Sequence, residues 1–253
     1  MRQDREHRIR RWTGAVLDLL FPPRCPFCDR LLKDGEEGIC GECQPRLPWT
    51  LPERDERHSE FVDRCVSPLW YQGAVRDSFH RYKFDGCRDY AGVYAALMAQ
   101  CAGDRLAGEY DLLTYVPLSA KRRRQRGYDQ VRLLAEGMAP ALGLPVTETL
   151  EKTRHTAAQS GLSDDGARRA NVLGAYRVRD PEAVRGRRVL LADDVITTGA
   201  TLSECARVLR TAGAASVVCV TFAQARAQQK GEAQEPPARR LLPDQEEIFL
   251  NSF

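Results

Sequence analysis

The sequence predicts an α/β protein: a mainly parallel sheet flanked by helices, with a small metal-binding module in front of it. Apolar runs at 68–71, 112–116, 189–192 and 217–222 have the length and content of strands, and the stretches 90–101, 131–142 and 201–212 between them repeat apolar residues at helical spacing. Strand alternating with helix gives parallel strands covered on both faces. Near the N-terminus, four cysteines stand in two CxxC pairs, a spacing that belongs to metal sites.

The 253 residues, 43% hydrophobic and 29% charged, suffice for one α/β core and one appended module. A net charge of +3 does not by itself mark a nucleic-acid binder, so local cation clusters must carry any such argument. The apolar run 12–21 is broken by Asp18 and lacks a small-residue cleavage site, so it does not read as a signal peptide. No stretch reaches the roughly 18 apolar residues of a spanning helix. A soluble, cytoplasmic protein without a membrane span is expected.

In chain order, Trp12, Val16, Leu17, Leu19 and Leu20 fall at helical spacing and predict a short amphipathic helix that docks on a neighbouring domain; with the cysteines it makes up a first module, 1–52. Residues 53–66 are charge-rich and aperiodic and read as a linker. The α/β domain follows over 67–223. Residues 224–253, poor in apolar side chains, read as a disordered tail.

Cys25 and Cys28, then Cys40 and Cys43, are separated by eleven residues. Two residues between thiolates let one knuckle turn present both sulfurs to one ion, and two knuckles complete a tetrahedral site; zinc is the natural occupant, with an iron–sulfur cluster or a redox CxxC as alternatives. Such a site is closed and structural. Cys65, Cys87, Cys101, Cys205 and Cys219 are scattered singly and read as small hydrophobes.

The most informative stretch is 188–201. An apolar strand delivers Asp193 and Asp194, and then a loop of Val195, Ile196, Thr197, Thr198, Gly199, Ala200 and Thr201 opens a helix. Backbone N–H groups and the positive end of a helix aimed at one point make a phosphate site. Neither GxxxxGK[ST] nor GxGxxG is present, which removes the usual support for nucleotide binding. Paired acids before a phosphate loop suit a ribose phosphate instead: the carboxylates accept from the ring hydroxyls while the loop holds the 5-phosphate. Upstream, the turn 117–119 leads into residues 121–126, five of which are cationic; a solvated basic face and a DNA-contacting patch are rival readings. Residues 152–171 lack periodicity, as a mobile lid or an ordinary surface loop would.

The segment 189–201 resembles the phosphoribosyl pyrophosphate signature of type I phosphoribosyltransferases. A wider set, Leu17 to Cys28, Tyr71 to Arg76, Lys83-Phe-Asp-Gly86, Val116-Pro-Leu-Ser119, Arg126-Gly-Tyr-Asp-Gln130 and Arg168-Arg-Ala-Asn171, is similar to the ComF family over about residues 15–223. That resemblance implies a type I phosphoribosyltransferase-like fold behind an N-terminal zinc ribbon, phosphoribosyl pyrophosphate with magnesium as ligand, and a role in natural transformation beside a DNA-translocating helicase, with single-stranded DNA and uptake proteins as partners. It implies further that Asp193 and Asp194 orient the ribose, that Arg122 and Arg154 meet the pyrophosphate, and that Ser119, Lys121 and Gln159 contribute to the ligand site. Thr197 stands where purine-salvage members carry an acid, which disfavours purine salvage. Ala192, and Tyr128-Asp129 where Phe-Asn is common, are small departures from the pattern. Whether the chain is an active transferase toward an unidentified acceptor, or an adaptor with a vestigial ligand site, stays open at this level.

Overall fold

The structure is a computed structural model that describes residues 22–153 and 170–226. The helix expected over 12–20, most of the expected lid and all but the first residues of the expected tail lie outside the described residues. The described residues fall into two compact units, 22–47 and 48–226.

In the first unit an antiparallel bridge between Arg24 and Leu31 brackets a tight turn, in which Asp29 N–H donates to Cys25 O and Cys25 N–H to Arg30 O. A second turn, with Cys43 N–H and Gln44 N–H donating to Cys40 O, runs into a short 3₁₀ helix, Gln44–Arg46. Cys25 and Cys40 are fully buried.

The second unit is built on a sheet of β1 (Arg57–Ser59), β2 (Val62–Val66), β3 (Leu69–Trp70), β4 (Leu112–Tyr115), β7 (Arg188–Ile196) and β8 (Ser216–Gln224). The order is β1-β2-β8-β7-β4, with β3 also beside β8; the β1–β2 pair is antiparallel and the other pairs are parallel. Val189, Leu190, Leu191 and Ala192 are all wholly buried, an unbroken apolar run that requires cover on both faces of the sheet. On one face Val189, Leu191, Val217 and Cys219 pack with Leu202, Cys205 and Leu209 of α5 (Ala200–Thr211). On the other, Phe222 of β8 stacks on Phe79 of α1 (Gly73–Phe84) at 5.1 Å and meets Tyr94 of α2 (Tyr90–Leu106) at 4.1 Å. Helix α4 (Gln130–Leu142) crosses α2 where Gly137 faces Ala95; a Cβ on Gly137 would lie 2.6 Å from that of Ala95, so the crossing depends on the absent side chain. A separate antiparallel pair, β5 (Leu150–Lys152) with β6 (Tyr176–Val178), brackets residues 154–169.

One expectation needs correction. The segment 53–66 is not a linker: it contains β1 and β2, because Val62, Cys65 and Val66 are buried against β8 while the intervening Arg64 pairs with Glu56 and Glu109. The cations of 121–126 stand on a helix, α3 (Ala120–Arg126), which Ser119 caps by accepting from Arg122 N–H and Gly127 closes in the left-handed conformation. No helix among the described residues is long and apolar enough to cross a membrane.

Candidate functional site

Strand β7 does not stop where its apolar run stops. It continues through Asp193, opposite Thr221 of β8, to Ile196, so both acids sit within the strand near its C-terminal end. The chain then turns through 197–199 into α5. Gly199 takes φ +80° as the residue preceding the helix, a conformation that glycine adopts without strain, and its turn brings the N-terminus of α5 to the same cavity as the acids. Thr198 Oγ1 accepts from Ala200 N–H, and Arg57 Nη1 donates to Thr197 O at 2.5 Å while its Nη2 donates to Ala225 O. The guanidinium thus ties the loop to the end of β8.

This turn forms one wall of a cavity of about 730 Å³. Asp193, Asp194, Val195, Ile196, Thr197, Gly199, Ala200 and Thr201 line it, and Arg122 reaches it from α3. Thr198, Ser119 and Lys121 are not on its wall: Thr198 braces the turn, Ser119 is a buried helix cap and Lys121 is exposed. Arg154 and Gln159 lie outside the described residues.

The cavity is also lined by residues to which the sequence assigned no separate role. Lys83, the penultimate residue of α1, places Nζ 2.7 Å from Asp194 Oδ2. Gln130 Nε2, from the first turn of α4, donates to the same oxygen at 3.3 Å, and Asp194 Oδ1 accepts from Val195 N–H. Arg126, Lys152 and Tyr176 also border the cavity. The placement of Lys83 and Gln130 is fixed by their neighbours, since Tyr82 O–H donates to Gln130 O at 2.8 Å and Asp129 caps α4 by accepting from Val131 and Arg132 N–H. The motif Lys83-Phe-Asp-Gly86 was visible in the sequence; the 111-residue separation between Lys83 and Asp194 concealed their contact.

The two acids differ in charge. Burial, and then the charge of Asp194, push Asp193 up to about 8. Burial acts on Asp194 as well, but the Lys83 ammonium, its hydrogen bond and those of Val195 N–H and Gln130 outweigh it and hold Asp194 below the usual carboxylate range. Near neutral pH the pair is therefore one acid and one carboxylate, the latter already matched by a cation.

In the first unit, the Sγ atoms of Cys25, Cys28, Cys40 and Cys43 lie within 4.8 Å of one another, and Cys28 and Cys40 are 3.6 Å apart. Sulfurs around one ion at about 2.3 Å are separated by roughly 3.8 Å, so the four donors fit tetrahedral zinc. Residues 16–54 match the family model described as a double zinc ribbon domain, and residues 132–248 the one described as a phosphoribosyl transferase domain. The mainly parallel sheet with flanking helices, matched by the phosphoribosyl transferase family model, defines a type I phosphoribosyltransferase-like fold, carried behind a zinc ribbon whose cysteines support structural zinc.

Relatives place it more closely. The chain is 37% identical to competence protein F of Haemophilus influenzae over 76% of its own length and 93% of the relative's. It is 32% identical to competence protein ComFC of Streptococcus pneumoniae, over 74% and 88%. To DNA utilization protein YhgH of Escherichia coli it is 30% identical, over 79% and 96%. The chain belongs to the ComF family.

Proposed function

We propose that this chain binds phosphoribosyl pyrophosphate, or a related ribose 5-phosphate, in the cavity beside β7 and serves DNA uptake in the cytoplasm. The observation that carries the reading is the turn after β7, where a left-handed Gly199 and the start of α5 face a buried acid pair. The amides and hydroxyls of 197–201 would take the 5-phosphate. Asp193 and Asp194 would hold the ribose hydroxyls, and Arg122 the pyrophosphate, together with Arg154. Ser119 acts on this site by holding Arg122 through the helix cap; Lys121 and Gln159 are assigned to the ligand site by family resemblance.

If transfer occurs, the bond from ribose C1 to the pyrophosphate oxygen breaks with oxocarbenium character, an acceptor bonds to C1 and inorganic pyrophosphate leaves; the chain's part is to position the sugar and stabilise the leaving charge. The chain's carboxylates do not suit a directly held magnesium ion, because Asp194 is engaged by Lys83, Gln130 and Val195 and Asp193 tends to keep its proton. Magnesium would arrive on the pyrophosphate oxygens of the ligand.

The exposed cations of α3, among them Lys121, Arg123 and Arg124, favour a second reading in which the protein also contacts single-stranded DNA. Calorimetric titration of the zinc-loaded protein with phosphoribosyl pyrophosphate and magnesium tests the first reading. We expect saturable binding at one site per chain, lost in an Asp193→Asn/Asp194→Asn variant; correctly folded wild type that takes up no ligand sinks it.

A further inference from the structure

Two adjacent carboxylates are poor company for a phosphate ester, since an anionic ligand approaching them is repelled unless a cation stands between or beside them. In this pocket the cation is part of the chain. Lys83 Nζ sits 2.7 Å from Asp194 Oδ2, with both side chains less than one-fifth exposed. The ring of Phe79, itself fully buried, lies 4.5 Å behind the ammonium and supports it from the core side. Helix α1 is held by the stacking of Phe79 on Phe222 and by the hydrogen bond from Tyr82 to the first residue of α4. Lys83 is thereby fixed at the acid pair before any ligand arrives.

The coordination capacity of Asp194 is also largely used. A carboxylate offers about four lone-pair positions. On Asp194, Lys83 and Gln130 occupy Oδ2 and Val195 N–H occupies Oδ1. A divalent cation seeking Asp194 would have to displace an ammonium already in contact.

We propose that Lys83 is a ligand-site residue, a built-in counter-cation that takes the place a divalent metal would hold at the Asp193–Asp194 pair and lets the pocket receive a sugar phosphate without recruiting metal to these carboxylates. The sugar-phosphate half of this proposal rests on the functional reading above; the counter-cation half does not. A metal carried on a pyrophosphate leaves the arrangement intact, because it is bound by ligand oxygens.

The test has two arms on zinc-loaded, full-length protein. In the first, Mn²⁺ is titrated without any sugar phosphate and free ion is followed by electron paramagnetic resonance. Wild type is expected to show no Mn²⁺ site at the acid pair, whereas Lys83→Met gains one that a further Asp194→Asn removes. Wild-type Mn²⁺ binding that Asp194→Asn abolishes overturns the proposal, and this comparison holds even if Lys83→Met does not fold. In the second arm, ribose 5-phosphate is titrated by calorimetry in chelator and in excess Mg²⁺. Wild type and Lys83→Arg are expected to bind with affinities that differ less than about threefold between the two conditions, and Lys83→Met to bind at least tenfold more weakly in chelator, with Mg²⁺ recovering part of the loss. A wild-type affinity that collapses in chelator overturns the proposal. Failure of wild type to bind ribose 5-phosphate in either condition, with the Mn²⁺ arm as expected, removes the sugar-phosphate reading and leaves Lys83 as the counter-cation of the pair.

Discussion

Asp193 is a buried acid kept at the expense of the fold, and replacing it by asparagine should make the protein more stable and a worse binder. The carboxyl is almost completely buried in β7, accepts one hydrogen bond from Asp194 N–H and faces the neighbouring carboxylate. Its proton is held to about 8 in the folded chain against 3.8 for an unperturbed aspartate. Between those values the native state binds more protons than the unfolded state, so the contribution of this group is most favourable at acid pH and is lost as pH rises toward 8. At about 1.4 kcal/mol per unit, a displacement of some four units sets an upper bound of roughly 6 kcal/mol on what ionised Asp193 costs at pH 9. Asparagine keeps an acceptor for Asp194 N–H and carries no charge. Urea unfolding of Asp193→Asn and wild type at pH 5, 7 and 9, read by tryptophan fluorescence, should therefore show an advantage for the variant that is small at pH 5 and grows to several kcal/mol by pH 9, while its affinity for ribose 5-phosphate falls. An advantage independent of pH, or a variant less stable than wild type at pH 9, refutes the reasoning.

Two further outcomes follow from other parts of the molecule. Cys40→Ser removes one of four converging thiolates and should abolish stoichiometric zinc; because zinc contributes on the order of 10–16 kcal/mol to the folding of comparable modules, hydrogen exchange over 22–47 should become unprotected while the strands of the second unit stay protected. Gly137→Ala should cost about 1–3 kcal/mol through overpacking against Ala95 despite a helix-propensity gain of about 1 kcal/mol, and adding Ala95→Gly should restore most of it in a double-mutant cycle read by thermal denaturation.

The centre of the fold was legible because it is written in uninterrupted apolar runs: β4, β7 and β8 are buried on both faces, and α2, α4 and α5 carry ordinary helical spacing. The edge was not. In β2 the buried Val62, Cys65 and Val66 are interleaved with Asp63 and Arg64, whose partners include the sequence-distant Arg210 and Glu109, so local composition resembles a linker. Helix α1 did carry a readable signal, Val75, Ser78, Phe79 and Tyr82 on one face, diluted by four charged residues within its twelve. At the site, the turn after β7 could be read because glycine, threonines and acids are contiguous. Lys83 and Gln130 could not, since what brings them to the cavity is a tertiary meeting with Asp194 and no spacing rule describes it.

The placement of β8 has a consequence for synthesis of the chain. This strand is the hub of the sheet, pairing with β2, β3 and β7, and it is the last described strand to be made. Val66 meets Val220 only after some 150 intervening residues have been translated. Until then β7 shows an unpaired apolar edge, and the loop after it lacks the Ala225 carbonyl to which Arg57 is tied. A nascent chain halted before residue 216 therefore holds the residues of the pocket but not the pocket, and exposes the strand edge most prone to join another copy.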